Sequence, residues 1–152
     1  MIVVSNASPI MNLAVIGQLN LLERLYRKVL IPEAVFQELL AIGPEKLGGV
    51  KVQEILWLEK RAISKRSLAD SLLMELDLGE IEAIILAMER KADLLLLDER
   101  RGRKVASRLG LKFIGLLGVL VEAKRKGLIA EVKPILDSLI VRAGFLGWKT
   151  VI

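Results

Sequence analysis

Histidine and cysteine are both absent from the 152 residues, and those two absences remove more chemistry than any count adds. Without cysteine there is no disulfide framework, no thiolate nucleophile and no zinc ribbon; without histidine there is no serine–histidine pair and no imidazole ligand. Acid–base or metal chemistry must then rest on carboxylates, lysines or the single tyrosine, Tyr26. Oxygen-only sites suit hard cations such as magnesium or manganese rather than zinc or copper. Side-chain amides are confined to Asn6, Asn12, Asn20, Gln18, Gln37 and Gln53, which together with the missing cysteine resembles the composition of heat-adapted proteins. Aromatic residues make up 4%, so base stacking cannot be extensive and any nucleic-acid contact must run through phosphates. There is no G-x-x-x-x-G-K-S/T loop and no G-x-G-x-x-G after the first strand. The longest strongly apolar stretch, residues 113–121, falls well short of the ~20 needed to cross a bilayer, and no basic segment precedes an apolar one at the start. A soluble cytoplasmic protein is expected.

What is present describes a folded chain. Apolar residues reach 53% and charged residues 27%, outside the disordered class, and the length suits one domain over residues 1–152. The 23 Lys and Arg exceed the 18 Asp and Glu by five, a balance that favours a polyanionic partner, nucleic acid first. The chain opens with the β-branched run Ile2-Val3-Val4-Ser5, a buried strand, and turns at Asn6-Ala7-Ser8-Pro9, where Ser8 can cap a helix that Pro9 begins. Residues 9–16 and 18–26 read as short helices, 28–31 as a second strand, and Pro32 opens a helix to about Ala41. After a loop at 43–49, a short helix, a strand over 57–62 and a helix over 67–75 are expected. Asp77-Leu78-Gly79 then breaks the pattern before a helix from Glu80 to about Arg90. Asp93-Leu94-Leu95-Leu96-Leu97-Asp98 has the all-apolar middle of a central strand covered on both faces. A basic helix over 100–109, a strand over 112–114 and helices over 116–126 and 131–142 close the chain, and 148–152 is a candidate edge strand. Such alternation predicts a three-layer α/β/α sandwich around a mainly parallel sheet, with ligands beyond the carboxyl ends of the strands near the switch point.

That rule selects Asn6 and Ser8 beyond the first strand and Asp98 beyond the strand of the second half. If these strands are neighbours, Glu38 from a preceding helix and Glu80 or Glu82 from a following one can converge there. Two carboxylates at ~5 Å repel by roughly 3 kcal/mol at an effective dielectric of about 20, a cost that a divalent cation or a shifted protonation must offset. Each acid also has a plainer reading: Glu80 and Glu82 as favoured near a helix N-terminus, Glu38 as solvated, Asp98 as a cap. Arg100, Arg101, Arg103 and Lys104 on the basic helix can track an RNA backbone, or simply form a solvated face.

Five segments together carry a family resemblance: Val3-Val4-Ser5-Asn6-Ala7-Ser8-Pro9-Ile10, Ile31-Pro32-Glu33-Ala34-Val35-Phe36-Gln37-Glu38-Leu39, Leu78-Gly79-Glu80-Ile81-Glu82-Ala83-Ile84, Leu96-Leu97-Asp98-Glu99-Arg100-Arg101-Gly102-Arg103, and Ile114-Gly115-Leu116-Leu117-Gly118-Val119-Leu120. Over residues 2–143 the chain resembles the PIN domain, the fold of many single-strand ribonucleases including VapC-type toxins, and looks most like a PIN-like family of small prokaryotic proteins. The resemblance implies an acidic site that binds Mg2+ or Mn2+ and activates water against a phosphodiester. It places Glu38, Glu82 and Asp98 as catalytic and metal-binding acids, with Glu80 as the competing placement for Glu82 and Ser8 as a small hydroxyl lining the site. Asn6 stands where the family usually carries a metal-binding aspartate. The amide keeps one oxygen acceptor and removes a full negative charge, so metal affinity and water activation should fall. Single-stranded RNA is the implied substrate and an antitoxin protein a possible partner. The high apolar fraction points to a homodimer or higher homo-oligomer. The rival reading is a noncatalytic PIN-fold module that binds nucleic acid or protein.

Overall fold

A computed structural model describes residues 1–72 and 76–144, with the backbone alone at 67, 68 and 72. Five short strands, β1 (Val3–Ser5), β2 (Val29–Pro32), β3 (Leu58–Arg61), β4 (Leu94–Leu96) and β5 (Phe113–Ile114), form one sheet in the order β3-β2-β1-β4-β5. Every pairing is parallel, with Val4 opposite Leu30 on one side of β1 and opposite Leu95 on the other. From β1 the chain winds outward to β2 and β3, then returns to lay β4 on the opposite side of β1. The β1/β4 seam is therefore the switch point, and the neighbour relation on which the sequence reading depended holds.

Alternation along the strands explains the layers. Val3, Leu94 and Leu96 point into one core, whereas Val4, Leu95 and Leu97 point into a second. The first core is covered by α1 (Ala7–Val15), α2 (Asn20–Tyr26), α3 (Glu33–Ile42), α7 (Leu116–Arg125) and α8 (Val132–Arg142). The second is covered by α4 (Arg66–Leu72), α5 (Leu78–Glu89) and α6 (Arg100–Arg108). With Ile81, Ala83, Ile84, Ile85, Leu86 and Ala87 all buried, α5 is enclosed almost all round. It packs on α3 and α4 as well as on the sheet, which brings its N-terminus to the carboxyl edge beside α3.

Two local expectations change. Helix α1 begins at Ala7, with Asn6 rather than Ser8 at the N-cap, because Asn6 keeps the extended backbone of β1 and its N–H bonds Leu96 O at 3.0 Å. Helix α5 begins at Leu78, two residues earlier than expected, because Asp77 and Glu80 form a reciprocal capping box. Gly79 is thus inside the first turn rather than a break. On α3, Val35 and Leu39 enter the core while Leu40 stays exposed. The expected helix over 67–75 is observed as α4 from Arg66; residues 73–75 and the candidate strand at 148–152 lie outside the described residues.

Candidate functional site

The carboxyl edge of the sheet gathers the expected residues, but not into one knot. Glu38 and Glu82 line a broad depression of ≈ 650 Å³ between the first turns of α3 and α5, together with Gln37, Arg66, Asp77 and Gly79. Its floor is set by Gly79. A Cβ at that position would stand 2.8 Å from Glu38 Oε1 and 3.6 Å from both Asn6 Oδ1 and Asp77 Oδ1. Three oxygens, from the residue after β1, from α3 and from the N-cap of α5, therefore gather around Gly79, so closely that a side chain there would collide with Glu38.

Asn6 is buried at 5% exposure, and its side chain makes no capping bond to α1. Neighbouring polar groups look elsewhere: Ser5 Oγ donates to Asn6 O at 2.8 Å, and Ser8 Oγ accepts from Asn12 Nδ2 at 3.2 Å. Ser8 is thereby tied along its own helix. The Glu38 carboxyl is held above its ordinary range, first by burial of its tip and then by the charge on Asp77.

Glu82 is more deeply placed, with a side chain only 3% exposed, and it is fully engaged. Its Oε1 accepts the Ala34 N–H at 3.0 Å, one of the N–H groups that the first turn of α3 leaves unmatched, and its Oε2 meets Arg66 Nη1 at 2.7 Å. Glu80 turns the other way. Its Oε2 accepts the Asp77 N–H at 3.1 Å, and its Oε1 would lie 3.3 Å from a Cβ on Gly102 of α6. Burial raises its pKa from the ordinary 4.5 to about 7, with the charges of Asp77 and Glu99 adding to the effect against a lowering hydrogen bond.

Asp98 does not line the depression. Its Oδ1 accepts the N–H of Leu116, the first residue of α7, at 2.7 Å, while its Oδ2 is buried without a hydrogen bond. Burial lifts its pKa; the Leu116 N–H and the Arg103 guanidinium act against that, and Glu99 with it. Arg103, expected on an RNA-binding face, is held inward: Nε donates to Leu97 O at 2.9 Å and the guanidinium lies 5.5 Å from the centroid of the Phe113 ring. Arg100, Arg101 and Lys104 remain exposed on α6, beside the same edge. A second basic run, Lys124-Arg125-Lys126, is matched by Glu131 and Glu122. Tyr26 is buried without a hydroxyl partner and pushed up to about 12 by burial and the Glu122 charge, so it offers no proton near neutral pH.

Among the described residues no three acidic side chains form a group able to hold an ion. The single cluster of three acids expected from sequence is divided because Glu82 is drawn to Ala34 and Arg66, and Asp98 to Leu116. The donors around Gly79 are nevertheless of the kind that a divalent cation takes: the Glu38 carboxylate and the Asn6 amide oxygen are hard ligands, with the Asp77 carboxylate beside them. In the sequence Asp77 reads as part of a break; the D-x-x-E spacing of Asp77 and Glu80 is the signal that marks it as a cap.

Comparison with curated proteins gives no match. Among the described residues no helix is long and apolar enough to cross a membrane. The sequence profile of the PIN domain, a nuclease-like fold, matches residues 2–151, in agreement with the all-parallel five-stranded sheet and its two helical layers. The chain belongs to the PIN-domain family.

Proposed function

We propose that this protein is a divalent-metal-dependent endoribonuclease acting on single-stranded RNA, attenuated by Asn6. The observation that carries the reading is the gathering of the Glu38 carboxylate and the Asn6 amide oxygen around Gly79, at the carboxyl edge beside the β1/β4 seam. When bound there, Mg2+ or Mn2+ supplies water activation and charge for the phosphoryl oxygens. Glu38 and Asn6 orient that ion, and Glu82 fixes α3 against α5 so that Glu38 stays at the rim. Asp98 holds the start of α7 and contributes negative potential from the other side of the seam. Exposed Arg100, Arg101 and Lys104 give the RNA backbone a cationic track leading to the edge. An antitoxin protein would act by covering this same edge. Self-association is expected through exposed aliphatic residues such as Val121 and Val141 on α7 and α8.

The test is cleavage of single-stranded RNA across a Mn2+ titration, by the wild type, Asn6→Asp and Glu38→Gln. Slow cleavage by the wild type, raised in Asn6→Asp and lost in Glu38→Gln, is expected. The noncatalytic reading has one observation in its favour, the closure of Glu82 by Arg66 and the Ala34 N–H. RNA binding with no cleavage by any variant would establish that reading instead.

A further inference from the structure

We propose that Arg66 grips a phosphate of the single-stranded RNA at the acidic depression. The inference rests on the reading above and adds a substrate contact on a residue that neither the sequence pattern nor the family resemblance assigned. Among the described residues that line the depression, Glu33, Glu38, Asp77 and Glu82 are acidic and Arg66 alone is basic. A phosphodiester that enters there is repelled by each carboxylate, and Arg66 is the lining charge that attracts it.

Two further observations separate Arg66 from an ordinary surface arginine. Its guanidinium is exposed yet held: the side chain is 57% exposed, and Nη1 meets Oε2 of Glu82 at 2.7 Å. Glu82 is itself buried and anchored through Oε1 to the Ala34 N–H. That pair takes one of the five N–H donors of a planar fork, so the guanidinium can hold Glu82 on one side and a phosphate on another. The backbone leading to Arg66 is held as well. Glu89, two turns along α5 from Glu82, accepts the Ser64 N–H at 3.0 Å, the Ser64 hydroxyl at 3.0 Å and the Lys65 N–H at 2.7 Å, immediately before Arg66 begins α4. Two carboxylates of one helix thus fix the start of another, and much of the freedom that a long side chain loses on gripping a ligand is gone before RNA arrives. Helices α4 and α6 both pack on α5. A strand held by Arg66 and by the exposed cations of α6 therefore runs over the N-terminal end of α5, where Glu38 and Asn6 stand.

Fluorescence anisotropy of a labelled oligouridylate, titrated with the full chain in EDTA at several salt concentrations, reads this contact apart from cleavage. Because removing Arg66 leaves Glu82 unpaired, the comparison is made in Glu82→Gln, with thermal melting to verify that each variant is folded. Adding Arg66→Gln to Glu82→Gln should weaken binding by about tenfold and reduce the slope of log affinity on log salt by about 0.7, the share of one phosphate on a single strand. Arg66→Lys in the same background should keep the slope and recover part of the affinity, since the charge survives and the fork does not. Equal affinity and slope with and without Arg66→Gln overturns the contact and makes Arg66 the counter-ion of Glu82 alone; cleavage of RNA by the wild type in Mn2+ would then leave the nuclease standing. Absence of oligouridylate binding by the wild type overturns the contact as well. Binding that depends on Arg66, with no RNA cleaved by any variant, upholds the contact and removes the nuclease.

Discussion

Glu38 and Asp98 flank the same sheet edge, and both titrate above the ordinary carboxylate range, yet their surroundings differ in kind. Asp98 is enclosed with its counterparts: the Leu116 N–H at 2.7 Å, the Arg103 guanidinium nearby, and Gly115 so close that a Cβ there would stand 2.5 Å from Asp98 Oδ1 and would clash with Arg103. Glu38 has crowding without compensation, since burial raises it first and the charge on Asp77, a second acid, adds to that. The first arrangement spends a carboxylate on joining α7 to the sheet. The second leaves like charges side by side at the rim of the depression, a repulsion that a cation would offset. Glu82 belongs with Asp98 in this contrast, although it lines the same depression as Glu38.

The sharpest way to break the comparison is to remove a counterpart from the compensated group. Arg66→Ala leaves Glu82, whose side chain is 3% exposed, with only the Ala34 N–H. Because the Arg66 side chain is itself 57% exposed, water recovers part of the loss, and destabilisation should be about 2 kcal/mol by urea unfolding, below the 3 to 5 typical of fully buried pairs. Combining Arg66→Ala with Glu82→Gln should recover part of it. A loss under about 0.5 kcal/mol would mean that Glu82 is not held by this pair.

Next in size is the opposite manipulation, adding charge to the uncompensated group. Asn6→Asp brings a third carboxylate to Gly79, and in EDTA at neutral pH it should lower stability by about 1 to 2 kcal/mol. Saturating Mn2+ should reverse the sign and lift melting above the wild type, because an ion that binds only the folded chain stabilises it by mass action. A melting temperature unmoved by Mn2+ in this variant would remove the distinction between the two sides.

A smaller contrast uses the two lead residues themselves. Asp98→Ala uncovers the α7 N-terminus and should cost about 1 kcal/mol, whereas Asp98→Asn, which retains an acceptor for Leu116, should cost less. Glu38→Gln should instead be neutral or slightly stabilising without metal, since it removes like-charge repulsion and breaks no bond. Equal losses in Asp98→Ala and Glu38→Gln would make both acids structural.

Much of this edge was legible in the sequence because strand patterns are local. The apolar run 94–97 between Asp93 and Asp98 reads as a central strand and the β-branched start as another; that the two are parallel neighbours, so that their carboxyl ends meet, comes from the structure. Where each acid points was not legible. Glu82 lies on a helix whose direction toward Ala34 and Arg66 depends on how α3 and α4 pack against α5, contacts between residues 48 and 16 positions apart. Arg103 read as a surface cation because spacing does not reveal that Leu97 O and the Phe113 ring lie within its reach. Asp77 is within reach of sequence reasoning, since D-x-x-E at 77–80 is a capping pair, but the Gly79 between them reads as a helix breaker.

Glu80 joins the two sides and supplies the smallest effect, one of pH. It is buried between Asp77 on the Glu38 side and Glu99 on the Asp98 side, and its pKa rises from the ordinary 4.5 to about 7. An acid whose pKa is higher in the folded chain binds its proton more tightly there, so its contribution to stability is complete below pH 4.5 and is lost as pH climbs through 7. Glu38 and Asp98 act with the same sign, whereas Glu89, held low by the N–H groups of Ser64 and Lys65, acts with the opposite sign at more acid pH. The informative quantity is therefore the difference between the wild type and Glu80→Gln, a variant that keeps an oxygen for the Asp77 N–H and loses only the charge. Melting of the wild type should fall relative to Glu80→Gln as pH rises from 4.5 to 7 and run parallel to it outside that interval. Parallel curves throughout would mean that Glu80 is as well solvated as an ordinary surface acid, unperturbed by burial or by the charges of Asp77 and Glu99.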